Sequence, residues 1–186
     1  MKNRFKILNK ILIILLLVLT LIYTISDFRS SRILTYIAVI PLIIVPYIFD
    51  KIIYKTTDKE KFIYYIFIFL AYFLGSVVNL YNKTEYYDLI IHGVSGIYTM
   101  SIAKLIFDNF KIKNTPLIKF LFCFGFVFLV AGLWEIVEYL SDVLFNSNLQ
   151  HNIETGVADT MSDILSAAIC SVIAYFGNIS ILGSKK

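Results

Sequence analysis

The sequence predicts an all-α polytopic membrane protein, a single helix bundle with about six transmembrane helices over residues 1–186. Three observations lead to this prediction: 59% of the residues are hydrophobic, only 16% are charged, and the apolar residues are gathered into long blocks. Soluble domains carry about 25% charged residues and spread their apolar residues at amphipathic spacing. A lipid bilayer is therefore the expected partner of this chain.

A helix that crosses a bilayer needs about 20 predominantly apolar residues. Six blocks meet this requirement, and they cover residues 7–25, 33–49, 62–81, 87–107, 117–139 and 158–179. The second block contains Pro41 and Pro46. Because proline lacks a backbone donor, we expect this helix to be kinked, with its freed carbonyls satisfied by neighbouring helices.

The first block has a second interpretation. Basic residues precede its apolar run, as they do in a secretory signal peptide. A signal peptide ends in a small-x-small cleavage site, whereas this block ends in Tyr23-Thr24-Ile25-Ser26-Asp27. We therefore expect it to be retained as a membrane helix, and its cleavage would leave the orientation of the other five unchanged.

The distribution of basic residues predicts the orientation, because Lys and Arg collect on cytoplasmic loops. With the N-terminus inside, the predicted outer side holds only three of the 17 basic residues, namely Arg29, Arg32 and Lys83. Both termini are then cytoplasmic, and the expected location is a bacterial inner membrane. The net charge of +4 is spread over short clusters between apolar blocks, so it predicts no nucleic-acid partner.

This orientation leads to the first testable prediction. A phosphatase or fluorescent reporter fused after Lys186 should report the cytoplasm, and a reporter inserted near Asn148 should report the exterior. Exchanged signals at the two positions would show that the orientation is wrong.

Polar residues recur at helical spacing in the last three predicted helices. Intervals of three and four residues place each set on one helix face. The sets are Asp88, His92, Ser95 and Thr99; Glu135, Glu138 and Asp142; and Asp159, Asp163, Ser166 and Cys170. In the predicted orientation, the acidic members lie at the same outer depth. Ionisable residues inside a membrane are costly and are functional candidates by default.

A purely structural interpretation competes with the functional one. Asp88, Asp142 and Asp159 could be solvated residues at the membrane rim, and Asp88 and Asp159 could cap their helices. This interpretation fits a second group less well, since its members lie at least one turn inside or between apolar neighbours. That group is His92, Glu135, Glu138 and Asp163.

Convergence of the three faces would bring six carboxylates and one imidazole into a small volume. Like charges at such range cannot all stay ionised, so either several carboxyl groups keep their protons or a cation neutralises them. Carboxylates with one histidine suit a divalent ion such as Mg, Mn, Fe or Zn. The candidate metal ligands are His92, Glu135, Glu138 and Asp163, while Asp88 and Asp159 are candidate catalytic residues that orient a ligand or act as general base.

Three segments carry a resemblance to a known family. They read Tyr87-Asp88-Leu89-Ile90-Ile91-His92-Gly93, Leu133-Trp134-Glu135-Ile136-Val137-Glu138-Tyr139 and Gly156-Val157-Ala158-Asp159-Thr160-Met161-Ser162-Asp163. In that order they resemble the YjdF-like family of small bacterial inner-membrane proteins, and the first is more remotely similar to VanZ-like proteins. The resemblance covers residues 62–177 and implies the same six site residues. That family has no established activity, so the resemblance implies no substrate.

Three functions remain open from the sequence. The leading hypothesis is a metal-dependent hydrolase of a lipid-linked or envelope substrate, with a site that opens to the outer face. The first alternative is a proton- or cation-coupled transporter, which requires polar residues that continue to the inner face, whereas the polar faces fade beyond Thr99 and Cys170. The second is a non-catalytic membrane protein with a structural ion site.

Overall fold

A computed structural model describes residues 2–26, 33–110, 115–145, 149–150 and 157–182. Within these ranges the chain is helical apart from short connections, and it contains no β-strand. The helices are α1 (Lys2–Ser26), α2 (Ile33–Ile37), α3 (Val39–Ile52), α4 (Asp58–Ile68, continued by a π-helical segment Phe69–Val77), α5 (Leu80–Lys83), α6 (Tyr87–Asn109), α7 (Pro116–Phe145) and α8 (Val157–Phe176).

Six helical stretches of the described residues are long and apolar enough to cross a membrane. They are Arg4–Ser26, Thr35–Ile52, Asp58–Val77, Tyr87–Asn109, Pro116–Phe145 and Val157–Phe176. The predicted all-α membrane fold with about six spanning helices is therefore confirmed. These helices are identified by length and composition, which do not depend on direction. The inward orientation of both termini therefore stays a prediction.

The chain divides into two compact units, Met1–Tyr87 and Asp88–Lys186. The first contains α1 to α5, and the second contains the helices that carry the candidate site. The expectation of one transmembrane domain over the whole chain stays a prediction.

The second predicted span is interrupted, and its prolines explain where. The helix breaks at Ala38 between α2 and α3, one turn before Pro41. Proline offers no N–H to the carbonyl four residues earlier, so the preceding turn loses a hydrogen bond. Tyr72 Oη donates to the carbonyl oxygens of Thr35 at 2.7 Å and Tyr36 at 3.3 Å, next to this break. A neighbouring segment therefore supplies a donor to backbone carbonyls at the break, although the carbonyl that Pro41 itself frees is that of Ile37.

Pro46 lies inside α3, which continues through it without a break. The carbonyl that loses its helical partner is that of Leu42, four residues before the proline. Tyr64 Oη on α4 donates to Leu42 O at 2.7 Å. The tyrosine hydroxyl thus replaces the missing backbone donor, which explains how the proline is tolerated in an apolar environment.

This replacement is testable with a double-mutant cycle. Tyr64→Phe should destabilise the protein by about 0.5–1.5 kcal/mol, since it leaves the Leu42 carbonyl without a donor. In the Pro46→Ala background the cost should vanish, because the new backbone N–H can bond to Leu42 O. The measurement is denaturation of the protein in detergent.

Tyr65→Phe is the matched control for this cycle. Tyr65 Oη donates to Ile43 O at 3.2 Å, and that carbonyl keeps its ordinary partner, the N–H of residue 47, within the helix. Its effect should be independent of Pro46→Ala. Equal effects of Tyr64→Phe in both backgrounds would show that the hydroxyl does not replace the missing donor.

The third span starts and ends earlier than predicted, for local reasons. It begins at Asp58 instead of residue 62, because Thr57 and Glu60 form a capping box in which each side chain accepts a hydrogen bond from the other residue's backbone N–H. It ends at Val77 instead of residue 81, just before Asn79, whose φ of 69° is left-handed. The bounds of the last two spans differ in opposite directions: α7 continues beyond residue 139 to Phe145, and α8 stops before residue 179, at Phe176.

In the second unit, α6 and α8 approach each other closely at Gly96. A Cβ atom at this position would overlap the carbonyl oxygen of Ala167. Small residues allow such backbone contact between membrane helices. Below this contact, buried side chains from three helices form an apolar cluster: Met100, Ala103, Cys123, Val127, Ala131 and Ala167. These contacts place the N-terminal ends of α6 and α8 beside the C-terminal half of α7, at one end of the second unit.

Candidate metal centre

The first two site residues lie at the start of α6. Asp88 is the second residue of this helix, within its first turn, and His92 follows one turn later. Because residues four apart share a helix face, His92 Nε2 lies 3.4 Å from Asp88 Oδ1. Asp88 is partly exposed and His92 is buried. The spacing found in the sequence therefore produces a direct contact between the two side chains.

The third residue comes from α8. Asp163 is buried, with 3% of its surface exposed, and its Oδ2 lies 4.0 Å from the same nitrogen, His92 Nε2. Two anchors fix the register of α8 against α6. Ser166 Oγ donates to Leu89 O at 2.7 Å, and Gly93 leaves room for Ser166 and Cys170.

Asp88, His92 and Asp163 therefore form a compact group. One ligand atom from each lies within 4.8 Å of the other two. Metal–nitrogen and metal–oxygen bonds of about 2.0–2.2 Å place tetrahedral ligand atoms roughly 3.4 Å apart, so small side-chain adjustments would let all three contact one ion. The chemistry of the donor set fits Mn, Fe or Zn and does not select among them.

Glu135 approaches from α7 and differs from its neighbours in its bonding. Its side chain is buried, with 5% exposed, and Oε1 has no hydrogen-bond partner among the described residues. The carboxyl group is close enough to His92 and Asp88 for electrostatic interaction. A buried carboxylate oxygen without a partner is costly, so this atom is a candidate for a bound ion or water.

Glu138 is held differently, by its own helix. Trp134 Nε1 donates to Glu138 Oε1 at 2.8 Å, which is a contact between residues four apart on α7. Glu138 is half-buried and also lies within electrostatic range of His92. In the described part of the chain, the compact group contains neither Glu138 nor Glu135. Their predicted role as metal ligands stays a prediction.

Asp159, the second candidate catalytic residue, is the third residue of α8 and lies one turn before Asp163. It is half-buried and close enough to Glu135 and Asp163 to influence their charge. Like Asp159, the other five predicted site residues belong to the second unit. The charged groups of all six lie at one end of this unit.

The described lysine side chains of this unit make their contacts at the end of the helices opposite to the carboxylates. Lys119 Nζ lies 2.5 Å from Asp108 Oδ1. Lys104 Nζ donates to Tyr175 O at 3.4 Å and lies over the Tyr175 ring, 4.5 Å from its centre. Among the described residues, the acidic end thus has His92 as its single potentially cationic side chain. Neither lysine can compensate several carboxylates there.

Comparison with known proteins shows which family shares this architecture. The model of a family described as "Predicted membrane protein (DUF2238)" matches residues 8–181. The chain belongs to this family. A similar protein from Thermotoga maritima, described as "Uncharacterized protein", is 24% identical over 133 residues, which cover 70% of this chain and 69% of that protein. No solved structure matches. The narrower resemblance to YjdF-like and VanZ-like proteins stays a prediction.

In this DUF2238 member, Gln150 and Thr160 lie near Glu135 and were not among the residues predicted from the sequence. Asp142 accepts hydrogen bonds from the backbone N–H groups of Leu149 at 2.6 Å and Gln150 at 2.9 Å. The buried Gln150 side chain donates to Glu135 O and to Thr160 Oγ1, both at 3.4 Å. Thr160 precedes Asp163 by three residues, a helical spacing that could have identified it; Gln150 lies outside the helices and has no such signal. His151 and Glu154 lie outside the described residues.

Proposed function

We propose that this family member binds a divalent metal ion through Asp88, His92 and Asp163, and that the ion activates water for hydrolysis of a lipid-linked or envelope substrate. One observation carries the proposal: the ligand atoms of these three residues lie within 4.8 Å of one another. Asp88 thereby takes the role of a ligand, and Glu135 becomes the candidate general base. Glu138 and Asp159 supply further negative charge around the ion.

The burial of the group supports a bound cation. Asp163 and Glu135 are 3% and 5% exposed, and a buried carboxylate without compensation is strongly unfavourable. Among the described residues, His92 alone offers a compensating positive charge at this end, against several carboxyl groups. A divalent ion would neutralise the excess negative charge and would also coordinate the buried carboxylate oxygens.

The number of ligands favours catalysis over a purely structural role. Structural zinc sites have four protein ligands, whereas catalytic sites have three and leave a position open for water or substrate. A metal ion in such a site supplies electrostatic activation of that water. Glu135 Oε1, which is buried and unpartnered, is available to accept the proton.

The residues beneath the site support hydrolysis over transport. The apolar cluster of Met100, Ala103, Cys123, Val127, Ala131 and Ala167 begins on α6 about two turns after His92. Two buried hydroxyls deeper in the unit donate to carbonyls of their own helices, Ser101 Oγ to Ile97 O and Ser171 Oγ to Ala168 O. Such local bonding satisfies each hydroxyl without a continuous polar path. These features are typical of a site that opens to one side.

Elemental analysis of the purified protein tests the metal site. After supplementation with Mn²⁺ or Zn²⁺ and removal of free ions, the native protein should retain about one divalent ion per chain. His92→Ala and Asp163→Asn should lose it, and His151→Ala, which changes the second histidine, should retain it. Native protein without metal, or equal metal content in His92→Ala, would overturn the proposal. Size-exclusion chromatography of each variant establishes that it is folded.

Hydrolysis is tested separately with a bacterial lipid extract. Metal-loaded native protein should convert a component of the extract that Glu135→Gln leaves intact, because the amide cannot accept a proton. Mass spectrometry before and after incubation provides the measurement. A metal-binding protein that leaves the whole extract unchanged would contradict the hydrolase proposal while leaving the ion site in place.

A further inference from the structure

The depth and the charge of the candidate site together restrict the chemical bond on which it can act. We propose that the substrate is an acylated membrane lipid and that the bond cleaved is the carboxylic ester of an acyl chain, not a phosphoester of the headgroup. The proposal rests on the metal-dependent hydrolysis proposed above and specifies its substrate class.

The position of the site along its helices indicates its depth in the membrane. His92 comes five residues after the start of α6 and Asp163 six residues after the start of α8, so they lie roughly 8 and 9 Å from these helix ends. With 20 residues, α8 is about 30 Å long, which matches the thickness of the hydrocarbon layer. Headgroups occupy about 5–8 Å beyond that layer on each side. The site therefore lies nearer to the acyl ester bonds than to the headgroup phosphates.

Exposed aromatic residues on α7 support this depth. Trp134 and Tyr139 flank Glu135 and Glu138 along the helix, and their side chains are 45% and 51% exposed. Trp and Tyr are enriched where the apolar interior of a bilayer meets its polar surface. The exposed residues between them are apolar, namely Ile136 and Val137. A lipid beside this part of α7 thus presents its acyl carbonyl groups near the level of the carboxylates.

The charge of the second unit disfavours a phosphate group in the site. Proteins bind phosphate mainly through Arg and Lys side chains. Residues 88–103 and 120–184, which include all six predicted site residues, contain neither Lys nor Arg. The negative charges of Asp88 and Asp163 would already balance a divalent ion that they hold. A phosphate would therefore be repelled by the remaining carboxylates, without a cationic side chain of this unit to compensate.

A carboxylic ester fits both the depth and the charge. It is uncharged, so it enters the site without repulsion from the carboxylates. Its hydrolysis places a single negative charge on the carbonyl oxygen in the transition state, where a divalent ion stabilises it. Water adds to the carbonyl carbon as Glu135 accepts a proton from it, the bond from this carbon to the alcohol oxygen breaks, and the alcohol leaves with the proton. One water molecule is consumed, and the products are a fatty acid and a deacylated lipid.

The fluorescence of Trp134, the only tryptophan of the chain, tests the depth without reference to activity. The protein is reconstituted in phosphatidylcholine vesicles whose acyl chains carry bromine either near the carboxyl end or near the methyl end. Quenching by the first lipid should be several-fold stronger, because Trp134 lies at the level of the acyl carbonyls. Stronger quenching by the second lipid, or by iodide in the aqueous phase than by either lipid, would overturn the ester assignment.

Product analysis tests the bond that is cleaved. Protein loaded with Mn²⁺ or Zn²⁺ is incubated with detergent micelles of dioleoylglycerol, dioleoylphosphatidylethanolamine and dioleoylphosphatidic acid, and both oleic acid and inorganic phosphate are measured. Oleic acid should be released, faster from uncharged dioleoylglycerol than from anionic phosphatidic acid, and phosphate should not. Glu135→Gln should slow the release of oleic acid by about 100-fold or more, since the amide cannot accept a proton.

Asp108→Asn is the matched control, because it makes the same change from carboxylate to amide near the opposite end of α6, where Asp108 pairs with Lys119. It should release oleic acid at the native rate, whereas Asp163→Asn should lose the activity. Equal release by native protein and Asp163→Asn would overturn the ester assignment. Metal-loaded protein that releases phosphate but no oleic acid, or neither product, would overturn it and leave the metal site standing. A native protein that retains no divalent ion would overturn the proposed function and the ester assignment with it.

Discussion

Removal of divalent ions with a chelator is expected to lower the melting temperature of the detergent-solubilised protein, and Mn²⁺ or Zn²⁺ is expected to restore it. An ion that binds the folded second unit and not the unfolded chain stabilises the fold by mass action, which is the effect expected of the proposed site. A free ion concentration 100 times the dissociation constant corresponds to about 2.7 kcal/mol. In a chain of this size, that free energy is equivalent to a shift of about 5–10 °C.

Substitutions at the site should reduce this response. Asp163→Asn removes a charged ligand, so this variant should melt at the same temperature with and without chelator. Glu135→Gln keeps all three ligands and removes only a charge beside the ion, so its response to chelator should be smaller than that of the native protein and still present. His151→Ala should respond as the native protein does, because this histidine is not among the ligands of the proposed site.

A different outcome would indicate that protons, and not a metal ion, neutralise the carboxylates. In that case the folded protein binds more protons than the unfolded chain, so its stability rises as the pH falls. Chelator would have no effect, and Glu135→Gln would be neutral or stabilising because it relieves repulsion between like charges. Indifference to chelator together with greater stability toward about pH 5 would contradict the metal site and favour a transport function.

Gly96→Ala is expected to destabilise the second unit and to weaken metal binding together. The added Cβ would overlap Ala167 O and lie less than 3 Å from two further backbone atoms of Ala167, so no side-chain adjustment can accommodate it. Helices α6 and α8 must separate, and this also separates His92 from Asp163. We expect a loss of about 1–3 kcal/mol in the free energy of unfolding.

Gly132→Ala provides the matched control on α7. No atom lies within 4 Å of a Cβ built at this position. Alanine is the better helix former by about 1 kcal/mol, so this variant should be as stable as the native protein or more stable. Thermal denaturation and metal content are measured for both variants. Native stability and metal content in Gly96→Ala would show that α6 and α8 do not make this contact.

Much of the candidate site could be predicted from spacing along single helices. Asp88 and His92 contact each other because they are four residues apart on α6, and that relation is independent of the rest of the fold. The inclusion of Asp163 required the prediction that α6 and α8 are neighbours. The acidic faces suggested this arrangement, and in the structure α6 and α8 are in contact where Gly96 lies against the backbone of Ala167.

The division of roles among the carboxylates could not be predicted in the same way. All six lie on polar helix faces at similar predicted depth, so helical spacing alone does not distinguish the role of Asp88 from that of Glu138. Their partners differ in space: Asp88 contacts His92, whereas Glu138 accepts a hydrogen bond from Trp134. The position of Gln150 near Glu135 could not be predicted from the sequence for a related reason. It lies in a connection without periodicity, and its position depends on an anchor to Asp142 eight residues earlier.

By itself, the sequence determined the six membrane helices and the polar face of each of the last three. Both properties are local, since a bilayer requires long apolar segments with internally satisfied backbones and a helix repeats every 3.6 residues. Only the tertiary structure decided that Tyr64 satisfies the carbonyl freed by Pro46, that Asp88 joins His92 and Asp163, and that the Gln150 side chain reaches both Thr160 and the backbone carbonyl of Glu135. These contacts depend on the distance and rotation between helices, which side-chain packing determines and no single segment encodes.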